Sequence, residues 1–201
     1  MKRTKKIDIT TLDSPPGKKE YIITADDFYI LTNDPSITAW GWAVLNSKGK
    51  VMESGCIRTS PEHKVKRIRK GDDTVRRISE INQALKPIIR EYDITYILSE
   101  LPHGSQNASA ATMIGITTAI VQTIGDCFDV AVEWYSEQDC KKTVLGKRAA
   151  TKQETIDRIK SLYPSHTFSG IKFRDEAVAD ALAVHYTAMQ QSTTLKLFFK
   201  R

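Results

Sequence analysis

Cysteine is scarce in this chain, with three among 201 residues. Cys56, Cys127 and Cys140 are odd in number, far apart and without a CxxC pair, which argues against a disulfide framework or a zinc-thiolate centre and suits a reducing, intracellular setting. Long apolar runs are missing as well. None spans the roughly 20 residues that a membrane helix requires, and the opening MKRTKKIDITT lacks the apolar centre of a signal peptide. A soluble, cytoplasmic protein is expected. Internal repeats and low-complexity tracts are also absent, and 201 residues at 40% hydrophobic content suffice for one domain with its own core. Acidic side chains are in deficit, 24 against 30 Lys and Arg, and the resulting charge of +6 suits a polyanionic partner.

What is present is a regular succession of elements. Residues 1–22 are polar and basic and close on the breaker-rich DSPPGKKE, which reads as an extension ahead of the fold. Strands are expected near 28–34 and 39–46, then a turn at NSKGK and a third strand in VMESGCIRT, together an antiparallel meander. PEHKVKRIRKGDD then carries five basic residues between 64 and 70. The helix that follows has Val75, Ile78, Ile81, Leu85, Ile88 and Tyr92 at helical spacing, and Pro87 should kink it or end it early. ITYILSE at 94–100 is a short strand, LPHGSQ a loop, and 107–125 a helix rich in Ala, Thr, Ser and Gly. DVAVEWY at 129–135 is the next strand, followed by a basic turn CKKTVLGKRAATKQ, a helix through Leu162 and a helix from about 174 to 190. Residues 191–201 read as a basic tail. Three antiparallel strands followed by alternating strands and helices make one α/β domain, 23–190, with a mixed five-stranded sheet flanked by helices.

The chemistry lies in the acids. Asp34 falls at a strand end between two apolar stretches, and Asp-Pro-Ser alone would be ordinary turn chemistry. Glu100, however, also closes an apolar strand, and the last helix, RDEAVADALAVHY, adds Glu176 and Asp180, which are four apart and share a face. Asp180 stands among alanines, valines and a leucine, where an unpaired carboxylate is costly to bury. Convergent carboxylates repel unless cations neutralise them, and an all-oxygen set suits Mg²⁺, with Mn²⁺ able to substitute, better than zinc. Two such ions about 4 Å apart can clamp the attacking and leaving oxygens of a phosphodiester displacement.

These pieces resemble the RuvC-type Holliday-junction resolvases, which have the ribonuclease H-like fold. DPSITAWGWAV resembles the family's first catalytic strand and turn, ESGCIRT its third strand and ILSE the end of its second catalytic strand. QDCKKTVLG…ATKQ resembles its basic loop and VADALAV its closing helix, all in the family's order over roughly residues 28–187. The resemblance implies that Asp34, Glu100 and Asp180 bind metal and that Lys141 and Lys152 stand near the scissile phosphate. Bacterial members usually carry the fourth acid three residues before the last aspartate, where this chain has Ala177. Mitochondrial relatives place one four residues before, which makes Glu176 the choice and Asp175 the reserve. The aromatic wedge that the family often carries beyond the second acid has no counterpart, His103 being the nearest candidate, and 107–125 resembles the family's dimer helix.

The activity so implied is a homodimeric endonuclease with two divalent ions per active site, cutting four-way DNA junctions at two symmetric strands and needing no small-molecule cofactor or membrane. Lys64, Lys66, Arg67, Arg69 and Lys70, with His103, Lys142, Lys147 and Arg148, are expected along the DNA, positioning its backbone. Two other readings stay open: a nuclease for RNA–DNA hybrids or for flaps and branched DNA, and a junction-binding protein that has lost hydrolysis, which Ala177 keeps in play.

Overall fold

The computed structural model describes residues 28–63 and 65–199, so the extension 1–22 and Lys64 lie outside the described residues. Strand β1 (Tyr29–Asp34) pairs antiparallel with β2 (Ala39–Asn46), and β2 pairs antiparallel with β3 (Val51–Arg58). The other edge of β1 takes β4 (Tyr96–Leu101) in parallel, and β4 takes β5 (Ala131–Ser136) in parallel. The sheet order is β3-β2-β1-β4-β5, the mixed five-stranded sheet that the sequence pattern predicts. Six helices complete the described chain: α1 (Lys70–Glu91), α2 (Ala108–Phe128), α3 (Glu137–Leu145), α4 (Lys152–Leu162), α5 (Lys172–Gln191) and α6 (Thr193–Phe199).

Alternation along the strands assigns each side chain to one of two cores. Ile30, Ala43, Leu45 and Leu98 pack on Val178 and Leu182 of α5, whereas Leu31, Trp40, Val44 and Ile97 meet Ile81 and Leu85 of α1 and Ile120 and Val121 of α2. Ile30, Leu45, Leu98 and Leu182 are fully buried, each stabilising the fold by roughly 1.5–3 kcal/mol relative to exposure. Helix α5 lies between the sheet and helices α3 and α4, which is why it is buried nearly all round from Ala177 to Ala188 and rich in alanine. Its closeness to the sheet depends on Gly41, where a Cβ would overlap the carbonyl group of Ala177. Thr32 Oγ1 donates to the Ala181 carbonyl at 2.6 Å and fixes the same contact from β1.

The structure departs from the sequence pattern in four places. Helix α1 runs through Pro87 to Glu91, because Leu85 and Ile89 on either side of the proline are buried and offset the ladder bond it cannot donate. Val75 is 65% exposed and outside the core; the stripe that packs is Ile81, Leu85 and Ile89, with Ile78, Ile88 and Tyr92 partly buried beside it. The first part of the expected basic turn after β5, residues 140–145, belongs to helix α3, capped by Ser136 accepting from Asp139 N and closed by Gly146 at φ 73°, and its last two residues open α4. The segment after 190 carries α6, whose Leu195 is buried in the α5-side core. By length and composition alone α2 could cross a bilayer, but Thr117, Ile120, Val121, Ile124 and Gly125 bury its C-terminal half within the protein.

Candidate active site

Parallel pairing of β1 and β4 in the register Asn33↔Ser99 puts their next residues, Asp34 and Glu100, level with each other at one end of the sheet. Two residues before them, Thr32 and Leu98 face α5, so by alternation both acids face α5 as well. The Thr32 contact with Ala181 carries the neighbouring Asp180 over the same strand end. Three carboxylates from three elements therefore converge where β1, β4 and α5 meet.

Their electrostatics follow from that convergence. Burial first, and then the charge of Asp180, push the Asp34 carboxyl well above the carboxylate range. Glu100 is raised likewise by burial, then by Asp34 and Asp180. Asp180 is raised by burial, with Lys152 and Lys141 pulling it back. Glu137, the first residue of α3, contributes to the rise at all three. Among the described residues no group of three His, Cys, Asp or Glu side chains is drawn tightly enough to be a ready-made metal cage. What is present is an all-oxygen donor set whose members disfavour one another's charge, and that chemistry fits a hard divalent cation.

Two lysines border the acids, each held by a carboxylate. Lys152 donates to Glu176 at 2.9 Å, and the Glu176 side chain is 15% exposed while its partner is 69% exposed. Lys141 pairs with Glu137 one helical turn away. Both lysines are raised above their usual range, chiefly by these hydrogen bonds, and so stay charged. With Glu100 and Asp180 they line a narrow cleft of about 70 Å³. Asp175 turns elsewhere: its carboxylate accepts from Ser169 N and Oγ at 2.9 and 2.7 Å and from Gly170 N at 3.0 Å, clamping the loop before α5. Ala177 is buried against Gly41.

The remaining candidates lie around this centre rather than in it. His103 is exposed, with Nδ1 3.8 Å from Glu137. Lys142 and Arg148 are exposed beyond it, and Lys147 pairs with Glu154. Lys66 pairs with Glu62, Arg69 with Asp72 at 2.7 Å, and Lys70 donates to Ser109 at 3.1 Å. Arg67 sits in the same loop at a positive φ of 52°. Glu137 was not among the residues singled out from the sequence. Its one signal is that it immediately follows β5, whose Tyr135 pairs with Glu100. A larger groove, about 500 Å³, runs along the β3 edge and is lined by none of the strand-end acids.

Known proteins resemble this chain in sequence and in fold. The family model described as crossover junction endodeoxyribonuclease RuvC matches residues 30–188. The RuvC of Rickettsia bellii is 29% identical over 163 residues, covering 80% of this chain and 96% of its own length. That of Gluconobacter oxydans is 28% identical over 155 residues, covering 75% and 83%. Among solved structures, Thermus thermophilus RuvC in complex with a Holliday junction substrate superposes with a TM-score of 0.61 at 18% identity, over 81% of this chain and 93% of that one. The yeast mitochondrial Holliday junction resolvase gives 0.56 at 11% identity, over 84% and 80%. At such identities the two structures speak for the fold, and the family model, spanning all five strands and ending within α5, speaks for descent: this chain belongs to the RuvC family of crossover junction endodeoxyribonucleases.

Proposed function

We propose that this protein resolves four-way DNA junctions by divalent-metal-dependent hydrolysis of phosphodiester bonds at symmetric strands. The observation that carries the reading is the convergence of Asp34, Glu100 and Asp180 from β1, β4 and α5, each pushed toward protonation by burial and, for Asp34 and Glu100, by the other acids. Asp34, Glu100, Glu176 and Asp180 would hold Mg²⁺ or Mn²⁺, two ions per site, which supply a more acidic water and neutralise charge on the phosphate. The chain's own residues do the rest. Lys152 and Lys141, positioned by Glu176 and Glu137, place positive charge beside the phosphate and the departing 3′ oxygen. The narrow cleft admits a phosphate and not a whole duplex. Lys142, Lys147, Arg148, His103 and the loop carrying Lys66, Arg67, Arg69 and Lys70 border the DNA, where phosphate exchanges for the carboxylates that now hold Lys66, Arg69 and Lys147.

A second copy of the chain is the other partner. Residues 108–112 of α2 are exposed and a side chain added at Gly115 would meet nothing within 4 Å, which suits close packing of α2 on its counterpart. A two-fold dimer presents two identical active sites and so explains paired cuts. The setting is intracellular, with neither membrane nor small-molecule cofactor required. The test is to offer a labelled synthetic four-way junction, a flap and an RNA–DNA hybrid side by side with Mg²⁺. Symmetric paired nicks in the junction are expected. Cleavage of the hybrid alone, or junction binding that Mg²⁺ never converts to cutting, would replace this reading with one of its rivals.

Two expectations follow for the acids. Folded-state carboxyls with raised pKa values keep protons that the unfolded chain has released, so above about pH 4 the metal-free protein loses stability as pH rises toward those raised values. Melting in EDTA should therefore occur at lower temperature near about pH 8 than near about pH 5, and Mg²⁺ or Mn²⁺ should restore it most at the higher pH. A melting temperature indifferent to both pH and metal would mean that the acids are not coupled. For the fourth ligand, Glu176→Gln should lose most activity and weaken the hold on Lys152, whereas Asp175→Asn should keep activity and lose stability by about 1–3 kcal/mol through the loop at 169–170. An inactive Asp175→Asn beside an active Glu176→Gln would show that the ligand set is off by one residue.

A further inference from the structure

The free edge of the sheet carries cations that the proposed chemistry does not use. Register places Asp34, Gly41 and Cys56 side by side across β1, β2 and β3, so Cys56 lies two strand spacings, about 10 Å, from the first acid. Two residues on, Arg58 ends β3 and faces the same side as Cys56, toward the first turn of α5. There its guanidinium lies 4.6 Å from the ring centre of Phe173, and that of Arg174 lies 5.9 Å from the same ring. Arg58 and Arg174 are both exposed. The field of the pair reaches the acids' row: burial raises the Cys56 thiol, Arg174 and Arg58 lower it, and Asp34 raises it.

The contrast with the basic residues that are ion-paired is informative. Lys66, Arg69, Lys141, Lys147 and Lys152 each have a carboxylate partner. Among the described residues, no carboxylate lies within ion-pair distance of Arg58 or Arg174. Two like charges are thus gathered around one ring with no carboxylate of the described residues paired to either. A guanidinium stacked on an aromatic face is held in orientation while its edge of N–H donors stays in water, and that edge matches a phosphate bidentately. The groove along β3 begins beside this point, lined by Arg174, Cys56, Ser54 and His166, by apolar side chains such as Trp42, and by Asp175, whose carboxylate is taken up by Ser169 and Gly170.

We propose that Arg58 and Arg174, arranged about Phe173, bind a backbone phosphate of the cut DNA strand, within about three nucleotides of the scissile bond at a rise of about 3.4 Å each. The site rests on the junction-cleaving reading above and extends it: the strand enters past Lys141 and Lys152 and leaves over the β3 edge.

The experiment measures binding of a fluorescent four-way junction, with Ca²⁺ in place of Mg²⁺, across a series of KCl concentrations for the parent, R58Q, R174Q and the double variant. Each single change should weaken binding about tenfold and flatten the slope of log affinity against log salt by about 1, the double variant by about 2. Junctions bearing one neutral methylphosphonate at successive positions beside the cut then locate the contact. One position should cost the parent affinity and cost the double variant nothing further. R58K/R174K should recover the salt slope and only part of the affinity, because charge returns without the fork. A parent that binds and cuts junctions, beside a double variant with unchanged slope and unchanged methylphosphonate sensitivity, would overturn the site while leaving the nuclease reading intact. Weaker binding at an unchanged slope would also overturn it, since that marks distorted structure and not a lost phosphate contact. A parent that neither binds nor cuts a junction would remove the underlying reading and this site with it.

Discussion

Asp34→Asn is expected to abolish junction cleavage while leaving junction binding as tight as before or tighter. Groups that merely orient a metal ligand are already worth about 10–100-fold, so losing a ligand should cost more than roughly a hundredfold in rate. Binding should not suffer, because one negative charge is removed from beside a polyanion. The same change has a second signature that needs no metal. Burial raises the Glu100 carboxyl and Asp34 and Asp180 raise it further, and Asp34 is itself raised by burial and by Asp180. A neutral amide relieves that repulsion, so the metal-free variant should melt above the parent near about pH 8 and close to it near about pH 5, where more of the acids are protonated. Higher stability with lost activity is the pattern of a residue kept for chemistry at a structural cost. A variant that cuts at the parent rate in Mg²⁺ would show that Asp34 is no ligand, and an unchanged melting temperature at both pH values would show that it is no member of the acid cluster.

The positions of these acids were legible in the sequence because strand ends are marked by where apolar alternation stops. Asp34 and Glu100 each close such a run, and parallel pairing of β1 and β4 then sets them level without further information. Glu176 and Asp180 were legible for a similar reason, since a spacing of four fixes a shared helical face. Glu137 was not, because it precedes the apolar pattern of its own helix and shows its position only once β5 is placed beside β4. Helix α3 was hidden by lysines and Gly146, which read as a turn although the glycine is only its C-terminal cap. Pro87 misled in the opposite direction: local chemistry argued for a stop, and packing of Leu85 and Ile89 prevailed. The pairing of Arg58 with Phe173 joins residues more than a hundred positions apart and had no local signal at all.

Gly41→Ala is expected to damage both stability and cleavage although the residue touches no substrate. A Cβ at this position would overlap the carbonyl group of Ala177 and come within 3.0 Å of its Cα, and the obstacle is backbone that cannot rotate aside. Helix α5 must therefore move off the sheet. Overpacking of this kind costs about 1–3 kcal/mol, which for a chain of this size lowers the melting temperature by roughly 2–12 °C. The consequence for chemistry follows from what rides on the helix. Asp180 is held over the end of β1 by the adjacent Thr32 contact to Ala181, and Glu176 precedes the displaced Ala177. A shift of about 1 Å in reacting groups can cost about a hundredfold in rate, so cleavage should fall far more than binding, which depends on exposed cations elsewhere. Gly71→Ala is the control, because nothing lies within 4 Å of a Cβ added there, and it should melt at or slightly above the parent and cut normally. Melting curves of both variants and single-turnover cleavage of a bound junction would decide the matter. If Gly41→Ala melts with the parent and cuts at its rate, α5 does not rest on β2 this closely, and the placement of Asp180 beside Asp34 must be drawn differently.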